Sequence, residues 1–498
     1  MTNKRKSLRI VAVTYLLLAV ICVSNLQAME TDTMRVSGIV TYGSEPMPGT
    51  RIRVKETSIG TVTDINGKYS LTVPKNAILQ FSYIGYSSQE IVVGNQQVIN
   101  VEMDIGKDIE STGIKPAIPV SLTKIQNNKA EADNSFAFKM FREVSKQGDN
   151  IFFSPFSLNM ALGMLYNGSS GNARAEMVKA LGIADLSESE INEYYQIMSQ
   201  ALLEVDPTTE IGIANSIWYR KNLPVKNSFI ELSKKYFDAE IQALGYNAAN
   251  VINQWCAAKT NNRINNIVSN PISDDMMMYL INALYFKSKW QKEKKFDKEN
   301  TKLEDFTKTN HQKKQVNMME QTNYLHYYAD QYLQCVEIPY GNTAFSMIAI
   351  LPAENMSINQ LIEYLDNEKW QYAVNRMRQQ RVWLKLPRFK IECELPLNKP
   401  VQNLGMTQIF NEHFANFTNI ADAPLCVSEI KQKTFVEVNE EGTEAAAITA
   451  VIIGYGATTR GTVSEPIQFF ANCPFLYLIK EKSTGAILFI GRMDEPKE

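Results

Sequence analysis

Histidine is scarce in this chain of 498 residues, which contains only His311, His326 and His413. A zinc carboxypeptidase needs a His-x-x-Glu pair and a distant third histidine. The residues three positions after the histidines are Lys314, Ala329 and Asn416, so no such pair exists. Neither His-Glu-x-x-His nor Gly-x-Ser-x-Gly occurs. We therefore expect a protein that is not an enzyme, with no catalytic residues, no metal and no other cofactor.

A surplus of charge and paired cysteines are also lacking. The chain has 51 Lys and Arg against 53 Asp and Glu, for a net charge of −2. This balance excludes the basic surplus that is typical of nucleic-acid-binding proteins. The cysteines form no Cys-x-x-Cys pair and mostly have apolar neighbours, which favours buried small hydrophobes over a disulfide framework. They are Cys22, Cys256, Cys335, Cys393, Cys426 and Cys473.

The N-terminus has the pattern of a secretory signal over residues 1–28. Four basic residues precede an apolar run of 14 residues at 10–23, and Ala28 offers a small residue for cleavage. The run is shorter than the ~20 residues of a membrane-spanning helix. A lipid-modified Cys22 is the alternative, although Ile21 stands where that modification normally wants a small residue. We expect export to the periplasm, the cell surface or the extracellular space, and no membrane span.

Residues 34–103 alternate apolar and polar side chains in short runs that turn residues such as Asn66-Gly67 separate. This pattern predicts a small all-β sandwich. Four stretches resemble the carboxypeptidase regulatory-like (transthyretin-like) domain of the Bacteroidetes type, namely 36–40, 46–49, 60–69 and 81–86. The resemblance implies a scaffold or docking module. Residues 104–130 show no sustained periodicity, and we interpret them as a linker.

Residues 131–498 mix helical and strand patterns without regular alternation, which favours an α+β fold over a doubly wound sheet. From residue 134 onward, many motifs follow one another in the order that serpins have. They include 150–157, 281–290, 337–340, 386–390, 474–476 and 484–492. The segment is thus identified as a member of the serpin superfamily. The resemblance implies three β-sheets, about eight to nine helices and an exposed reactive loop.

One segment resembles the hinge of the reactive loop in inhibitory serpins. It consists of Glu440, Glu441, Gly442, Thr443, Glu444, Ala445, Ala446, Ala447, Ile448 and Thr449. Alternation in an inserted strand would place small or apolar residues on one face. These are Thr443, Ala445, Ala447, Thr449, Val451 and Ile453. Residues 445–459 contain no charge and no proline, so nothing there prevents the segment from joining a central strand.

The resemblance implies an irreversible suicide-substrate inhibitor of serine or cysteine endopeptidases. The protease would form a covalent acyl-enzyme with the loop, at about 440–465, and insertion of the cut loop into the main sheet would trap it. Counting from the hinge places the scissile region at Tyr455, Gly456 and Ala457, which suits elastase-, subtilisin- or papain-like enzymes. Counting back from the C-terminal motif places it at Arg460 and Gly461, which suits an arginine-specific protease.

The resemblance also implies a polar cluster beneath the opening of the main sheet. The residues that match it, here called the sheet-opening cluster, are Ser154, Ser157, Asn282, Trp290 and Gln432. Gln432 stands where many serpins have a histidine, so this position does not charge at mild acid.

Residues 187–207 carry five acidic and no basic side chains, so we expect no activation by heparin. We expect a monomer whose partners are proteases; the alternative is a non-inhibitory serpin that acts as a carrier or adhesion protein.

Overall fold

The structure is a computed structural model. It describes residues 33–104, 116–273, 275–411, 416–443 and 465–497, apart from positions 44, 48, 56, 58, 65, 84–85 and 87. The described residues fall into two compact units, which divide near Asp104. The predicted signal, residues 1–28, lies outside the described residues.

The first unit is all-β in its described part, as the alternating pattern predicts. Its strands are β1 (Thr33–Tyr42), β2 (Glu45–Pro46), β3 (Arg51–Val54), β4 (Gly60–Val62), β5 (Lys68–Pro74), β6 (Ile78–Ser82), β7 (Gln89–Val92) and β8 (Val101–Glu102). One sheet has the order β2-β1-β5, with β8 parallel to β1, and the other has the order β4-β3-β6-β7. In β3, Ile52 and Val54 are buried while Arg51 and Arg53 are exposed, so the two-residue period separates core from solvent.

Nine α-helices lie in the described part of the second unit, in line with the expected eight to nine. They are α1 (Lys124–Val144), α2 (Pro155–Gly168), α3 (Gly171–Leu181), α4 (Glu188–Glu204), α5 (Asn227–Phe237), α6 (Ala248–Lys259), α7 (Ile358–Tyr364), α8 (Asn367–Arg376) and α9 (Asn398–Asn403). Thr123 and Gln126 form a capping box at the start of α1. All residues of α2 are buried, so this apolar helix lies inside the unit, and Ser154 caps its first turn.

The strands of the second unit form two hydrogen-bonded networks. They are β9 (Ile151–Phe153), β10 (Glu210–Tyr219), β11 (Glu240–Ala243), β12 (Met278–Lys289), β13 (Lys302–Thr307), β14 (Lys313–Ala329), β15 (Leu333–Pro339), β16 (Phe345–Pro352), β17 (Arg378–Pro387), β18 (Phe389–Pro396), β19 (Glu429–Asn439), β20 (Gly442–Thr443), β21 (Ile467–Phe470), β22 (Phe475–Glu481) and β23 (Ile487–Met493). The main sheet has the order β11-β10-β12-β20-β19-β18.

The second network has nine strands in the order β21-β17-β14-β15-β16-β22-β23-β9, with β13 beside β14. The family resemblance implies three sheets in this unit. The 17-residue β14 pairs with β17 along much of its length and with β15 at its end. Two of the expected sheets are therefore continuous through this one long strand.

The packed body of the second unit begins earlier than the predicted linker ends. Helix α1 starts at Lys124, inside the segment 104–130. Ala117 is buried in the core of this unit, and the Val120 N–H donates to Ser483 Oγ at 3.0 Å. We therefore propose that the linker ends before residue 116.

Glu337 in β15 has a buried carboxylate, and its surroundings should make the stability of the fold sensitive to acid. Burial alone would raise its pKa, but Lys482, Lys480 and His326 together lower the pKa from 4.5 to about 2. A group with a depressed folded-state pKa stabilises the fold above its unfolded pKa, and this contribution is lost as the pH falls through the folded value. In the unmodified protein, protonation of Glu337 should lower the free energy of unfolding by roughly 3 kcal/mol between about pH 4.5 and pH 2. We expect the Glu337→Gln variant to lack this decrease.

Urea denaturation across this pH range measures the effect. The control is Glu354→Gln, which makes the same chemical change at an exposed position. An identical pH dependence in the Glu337→Gln variant and the unmodified protein would contradict the assignment.

Candidate functional site

The middle of the main sheet is only partly closed. Strands β12 and β19 pair directly, in parallel, over six positions as far as Leu284 and Thr434. Beyond that point Gly442 and Thr443 of β20 lie between the two strands and pair antiparallel with each. Thr443 lies opposite Ser288 of β12. The first two residues of an additional strand therefore already stand at the entrance between β12 and β19.

The space at this entrance explains the small residues of the predicted hinge. Gly442 has a φ of 151°, and a Cβ atom added to it would lie 2.1 Å from the carbonyl oxygen of Ser288. Only glycine fits there. Thr443 is fully buried, and its Oγ1 lies 2.5 Å from the hydroxyl of Tyr340. The ring of Tyr340 in turn stacks on Trp290 at 4.5 Å.

Glu440 anchors the chain just before β20. Its carboxylate is buried and accepts hydrogen bonds from Arg388 Nε at 2.7 and 2.9 Å and from Thr301 Oγ1 at 2.5 Å. Burial by itself would raise the pKa of Glu440, but the hydrogen bonds from Arg388 and Thr301 outweigh it and lower the pKa. Its carbonyl oxygen accepts from the Phe296 N–H at 3.2 Å. Glu440 is thus a fixed, charged hinge residue.

A neutral hydrogen-bond network joins β12, β19 and the start of α2 where the main sheet is closed. The Gln432 amide accepts from the Ser154 N–H at 2.8 Å and donates to the Ser154 carbonyl at 2.9 Å and to Asn282 Oδ1 at 3.2 Å. Asn282 Nδ2 donates to the carbonyl of Ser157 at 2.9 Å and to Asn215 Oδ1 at 2.5 Å. All five residues are buried. The structure thus brings together four of the five predicted cluster residues.

Trp290, the fifth predicted member of the sheet-opening cluster, lies at the hinge end of the main sheet instead. Its backbone N–H donates to the carbonyl of Glu441 at 2.8 Å, and its indole Nε1 donates to the carbonyl of Asn439 at 2.9 Å. Trp290 therefore holds the turn between β19 and β20, and in the structure it belongs with Tyr340 and Thr443 rather than with Gln432.

The other predicted loop residues lie outside the described residues. In the hinge they are Glu444, Ala445, Ala446, Ala447, Ile448 and Thr449, and in the scissile region they are Tyr455, Gly456, Ala457, Arg460 and Gly461.

Three contacts of this site escaped the sequence reasoning, namely those of Arg388, Tyr340 and Asn215. Arg388 and Tyr340 both fall inside motifs that resemble serpins, but their partners Glu440 and Thr443 are 52 and 103 residues away. The sequence offers one signal for Arg388, namely that this charged residue lies between Pro387 and Phe389, where two strands meet.

Comparison with family models decides the identity of the second unit. Residues 131–496 match the model of the serpins, described as serine protease inhibitors. The chain belongs to the serpin family. Members of this family are in general protease inhibitors rather than enzymes. Residues 36–112 of this serpin match the CarboxypepD_reg-like domain, which confirms the predicted resemblance of the N-terminal segment.

Individual relatives agree with this assignment. Serpin B3 of Homo sapiens is 34% identical over 397 residues, which cover 74% of this chain and 100% of the relative. Iripin-3 of Ixodes ricinus is 33% identical, over 73% of this chain and 93% of the relative. The native-state crystal structure of the thermophilic serpin Tengpin superposes with a TM-score of 0.69 at 31% identity, over 76% of this chain and 97% of the other. These matches confirm the predicted serpin fold.

The thiols agree with the prediction of small buried residues. Cys256, Cys335, Cys393 and Cys426 are buried, Cys473 is partly buried, and none of these five described cysteines forms a disulfide. Among the described residues, no group of three or more His, Cys, Asp or Glu side chains is placed to hold a metal ion. Within the same part of the chain, no helix is long and apolar enough to cross a membrane.

Proposed function

We propose that this serpin is an irreversible suicide-substrate inhibitor of serine or cysteine endopeptidases. The protease nucleophile attacks the scissile carbonyl, the amine leaves as a new N-terminus, and an ester or thioester to the protease remains. The serpin then inserts its cut loop into the main sheet before water hydrolyses this bond. The observation that carries the proposal is β20, because Gly442 and Thr443 already occupy the entrance between β12 and β19.

The register of β20 supports insertion of the residues that follow it. Thr443 pairs with Ser288 on one side and with Val438 on the other. If both registers continue after cleavage, Thr449 arrives between Asn282 and Gln432, the pair that now closes the sheet. The hydroxyl of threonine can bond to both amides there, so the sheet-opening cluster would keep polar partners in the inserted state.

The same register supports the predicted division of the loop into two faces. On β12, Leu284 and Phe286 face the main core, whereas Ile281 and Ala283 face a second apolar cluster that includes Ile252 of α6. Side chains directly opposite each other in an antiparallel pair share a face. The residues facing the main core would be Thr443, Ala445, Ala447, Thr449, Val451 and Ile453. They are small or apolar, as burial requires.

The length of the main sheet favours the scissile region at Tyr455, Gly456 and Ala457. The register pairs Ile453 with Met278, where β12 begins. Gly456 then lies three residues beyond the end of the sheet, whereas Arg460 lies seven beyond it. The four additional residues would give the acyl-enzyme about 13 Å of slack at ~3.3 Å per residue. A shorter tether presses the protease against the end of the serpin and distorts its active site.

Protease trapping is the prediction that tests this function. The protein without its signal is incubated separately with pancreatic elastase, subtilisin, papain and trypsin, and analysed on denaturing gels with mass spectrometry of the released C-terminal peptide. We expect a complex that resists SDS and a cut between Tyr455 and Ala457, because only an acyl bond survives denaturation. A protease whose nucleophile is replaced by alanine is the control and should form no complex.

Other outcomes of this experiment are equally informative. A complex with trypsin alone, cut after Arg460, would support inhibition but overturn the proposed scissile region. Cleavage by all four proteases without any complex would contradict inhibition and leave the carrier or adhesion function of a non-inhibitory serpin.

We further propose that the chain is an exported monomer with three parts. These are a signal at 1–28, a carboxypeptidase regulatory-like domain at 34–103 and a serpin domain that includes 131–498. The family match at residues 36–112 is compatible with a periplasmic or extracellular protein. Edman sequencing of the protein exported from its host tests the signal, because cleavage after Ala28 would leave Met29 as the first residue.

A further inference from the structure

A cavity of about 460 Å³ opens at the end of α1, away from the hinge residues described above. Its walls come from the C-terminal end of α1 and the turn that follows it, from α7 and from β23. Two guanidinium groups line it, Arg142 of α1 and Arg492 of β23. A volume of this size is in the range of small-molecule sites.

Arg492 is a buried cation whose hydrogen-bonding capacity is not exhausted. The residue is 6% exposed. One terminal nitrogen donates to Asn359 Oδ1 at 2.9 Å, and the other lies 3.6 Å from a carboxylate oxygen of Asp494. Its Nε is buried and has no hydrogen-bond partner among the described residues. A buried, unpaired N–H of a charged group is costly unless something polar satisfies it.

Arg142 contributes a second cation that the protein neutralises only weakly. Its Nε and one terminal nitrogen donate to the carbonyls of Ile362 and Leu365, at 3.3 and 2.6 Å. These carbonyls carry no full charge. The nearest carboxylate, that of Glu363, is 3.9 Å away on a side chain that is 67% exposed, so solvent screens the pair.

The remaining charges around the cavity leave room for an anion. Lys146 also lines it and is paired with Glu143 at 2.6 Å. The acidic side chains that line the cavity are Asp149 and Glu363, which are both exposed. Both of these acidic side chains can turn into the solvent. Since Glu143 pairs with Lys146 and Asp494 lies 3.6 Å from one terminal nitrogen of Arg492, the cations that remain for an anion are Arg142 and the rest of the Arg492 guanidinium. The hydroxyls of Ser145 and Thr309 also line the cavity but already donate to the Arg142 carbonyl and to the Asp494 carboxylate. Gln147 Nε2 donates one N–H to the Pro396 carbonyl and has a second N–H to offer.

We propose that this cavity binds a compact oxyanion, either phosphate or a small organic molecule that carries carboxylates. Guanidinium groups recognise both through charge-assisted hydrogen bonds. The site has a direct connection to the sheet-opening cluster. Arg492 pairs with Ile151 of β9, and β9 leads into Ser154, the residue that Gln432 holds. An anion bound there would stabilise the native arrangement of β9 by mass action.

Binding is tested on the full chain with inorganic phosphate and with citrate, each by isothermal titration calorimetry and thermal unfolding. Sodium chloride at matched ionic strength is the reference. We expect saturable binding of at least one probe with a Kd of about 1 mM or below, and a rise of the unfolding temperature that chloride does not produce. Binding of phosphate alone would identify a phosphate site, and binding of citrate alone a carboxylate site.

Variants locate the anion. Arg142→Gln should weaken binding at least about tenfold, because one charge-assisted hydrogen bond is lost. Asn359→Ala should change the affinity as well, since Asn359 orients Arg492 and its exposed position makes misfolding no concern. Arg174→Gln is the matched control, because the Arg174 side chain is 28% exposed against 25% for Arg142 and lies elsewhere. Absence of saturable binding by both probes, or equal affinity in Arg142→Gln and Arg174→Gln, would overturn the proposal.

Discussion

Replacing Thr443 by arginine is expected to convert the protein from an inhibitor into a substrate. Thr443 is fully buried between β12 and β19, with its hydroxyl on Tyr340. An arginine side chain exceeds this space, and the buried carboxylate of Glu440 is already bound by Arg388. Burying an unpaired charge costs several kcal/mol. Insertion should therefore become slow relative to hydrolysis of the acyl-enzyme.

The expected size of this effect follows from the competition between the two steps. A barrier increase of about 3 kcal/mol shifts their ratio more than a hundredfold. The number of serpin molecules consumed per protease inhibited equals one plus the ratio of hydrolysis to insertion, so a starting value of about 1.1 should rise above about 10. Titration of a protease that forms the complex measures this number, and denaturing gels should show cleaved serpin in place of the complex.

Glu441→Arg is the matched control for the hinge substitution. Glu441 precedes β20, and its described hydrogen bonds are made by its backbone, with Asn439 and Trp290. Glu441 is not one of the two residues that lie between β12 and β19, so its side chain should not hinder insertion. The number of serpin molecules consumed per protease inhibited should therefore stay near that of the unmodified protein. Efficient trapping by the Thr443→Arg variant would show that the entrance between β12 and β19 is not the route of the loop.

The composition of the hinge could be predicted because it depends on local rules. Alternation of side chains in a strand and the exclusion of charge and proline from a central strand act on neighbouring residues. The roles of Gly442 and Thr443 could therefore be predicted from the sequence alone. The structure adds the reason at atomic scale, which is the 2.1 Å approach of a Cβ on Gly442 to Ser288.

The partners of the hinge could not be predicted, because they come from distant parts of the chain. Glu440 and Arg388 are 52 residues apart, Thr443 and Tyr340 are 103 residues apart, and no local pattern specifies either contact. The family resemblance named Trp290 without giving its distance from Gln432. The pairing of β12 with β20 places Trp290 next to Glu441, beyond the segment in which β12 and β19 pair directly. Trp290 is therefore separated from Gln432, which lies within that segment. The same limit explains why Arg388 was missed.

Replacing Glu440 by lysine is expected to destabilise the closed sheet and cause self-association on heating. The substitution removes the hydrogen bonds that the carboxylate accepts from Arg388 Nε, from a terminal nitrogen of Arg388 and from Thr301 Oγ1, and places an ammonium beside the guanidinium. Breaking a buried ion pair costs about 3–5 kcal/mol. Since the Arg388 side chain is 30% exposed, solvent reduces the penalty, and we expect about 2–3 kcal/mol. The unfolding temperature should fall by roughly 5 °C or more.

Self-association is expected because Glu440→Lys also weakens the attachment of β20, which lies between β12 and β19. Without the Glu440 anchor, β20 can leave the entrance and expose unpaired backbone groups on β12 and β19. Open strand edges accept a strand from another molecule. Incubation below the unfolding temperature, followed by native gels and light scattering, should show a ladder of oligomers for Glu440→Lys but not for Glu441→Lys.

The charge-exchanged double variant Glu440→Lys with Arg388→Glu separates the ion pair from other effects of the substitution. If the contact between the two side chains holds the hinge, the exchange should restore part of the lost stability and suppress the oligomers, because the pair is re-formed with reversed sign. Two residues in contact show such coupling, whereas independent sites add. Strictly additive losses in the double variant, or equal unfolding temperatures for Glu440→Lys and Glu441→Lys, would contradict the role of Glu440 as the anchor of β20.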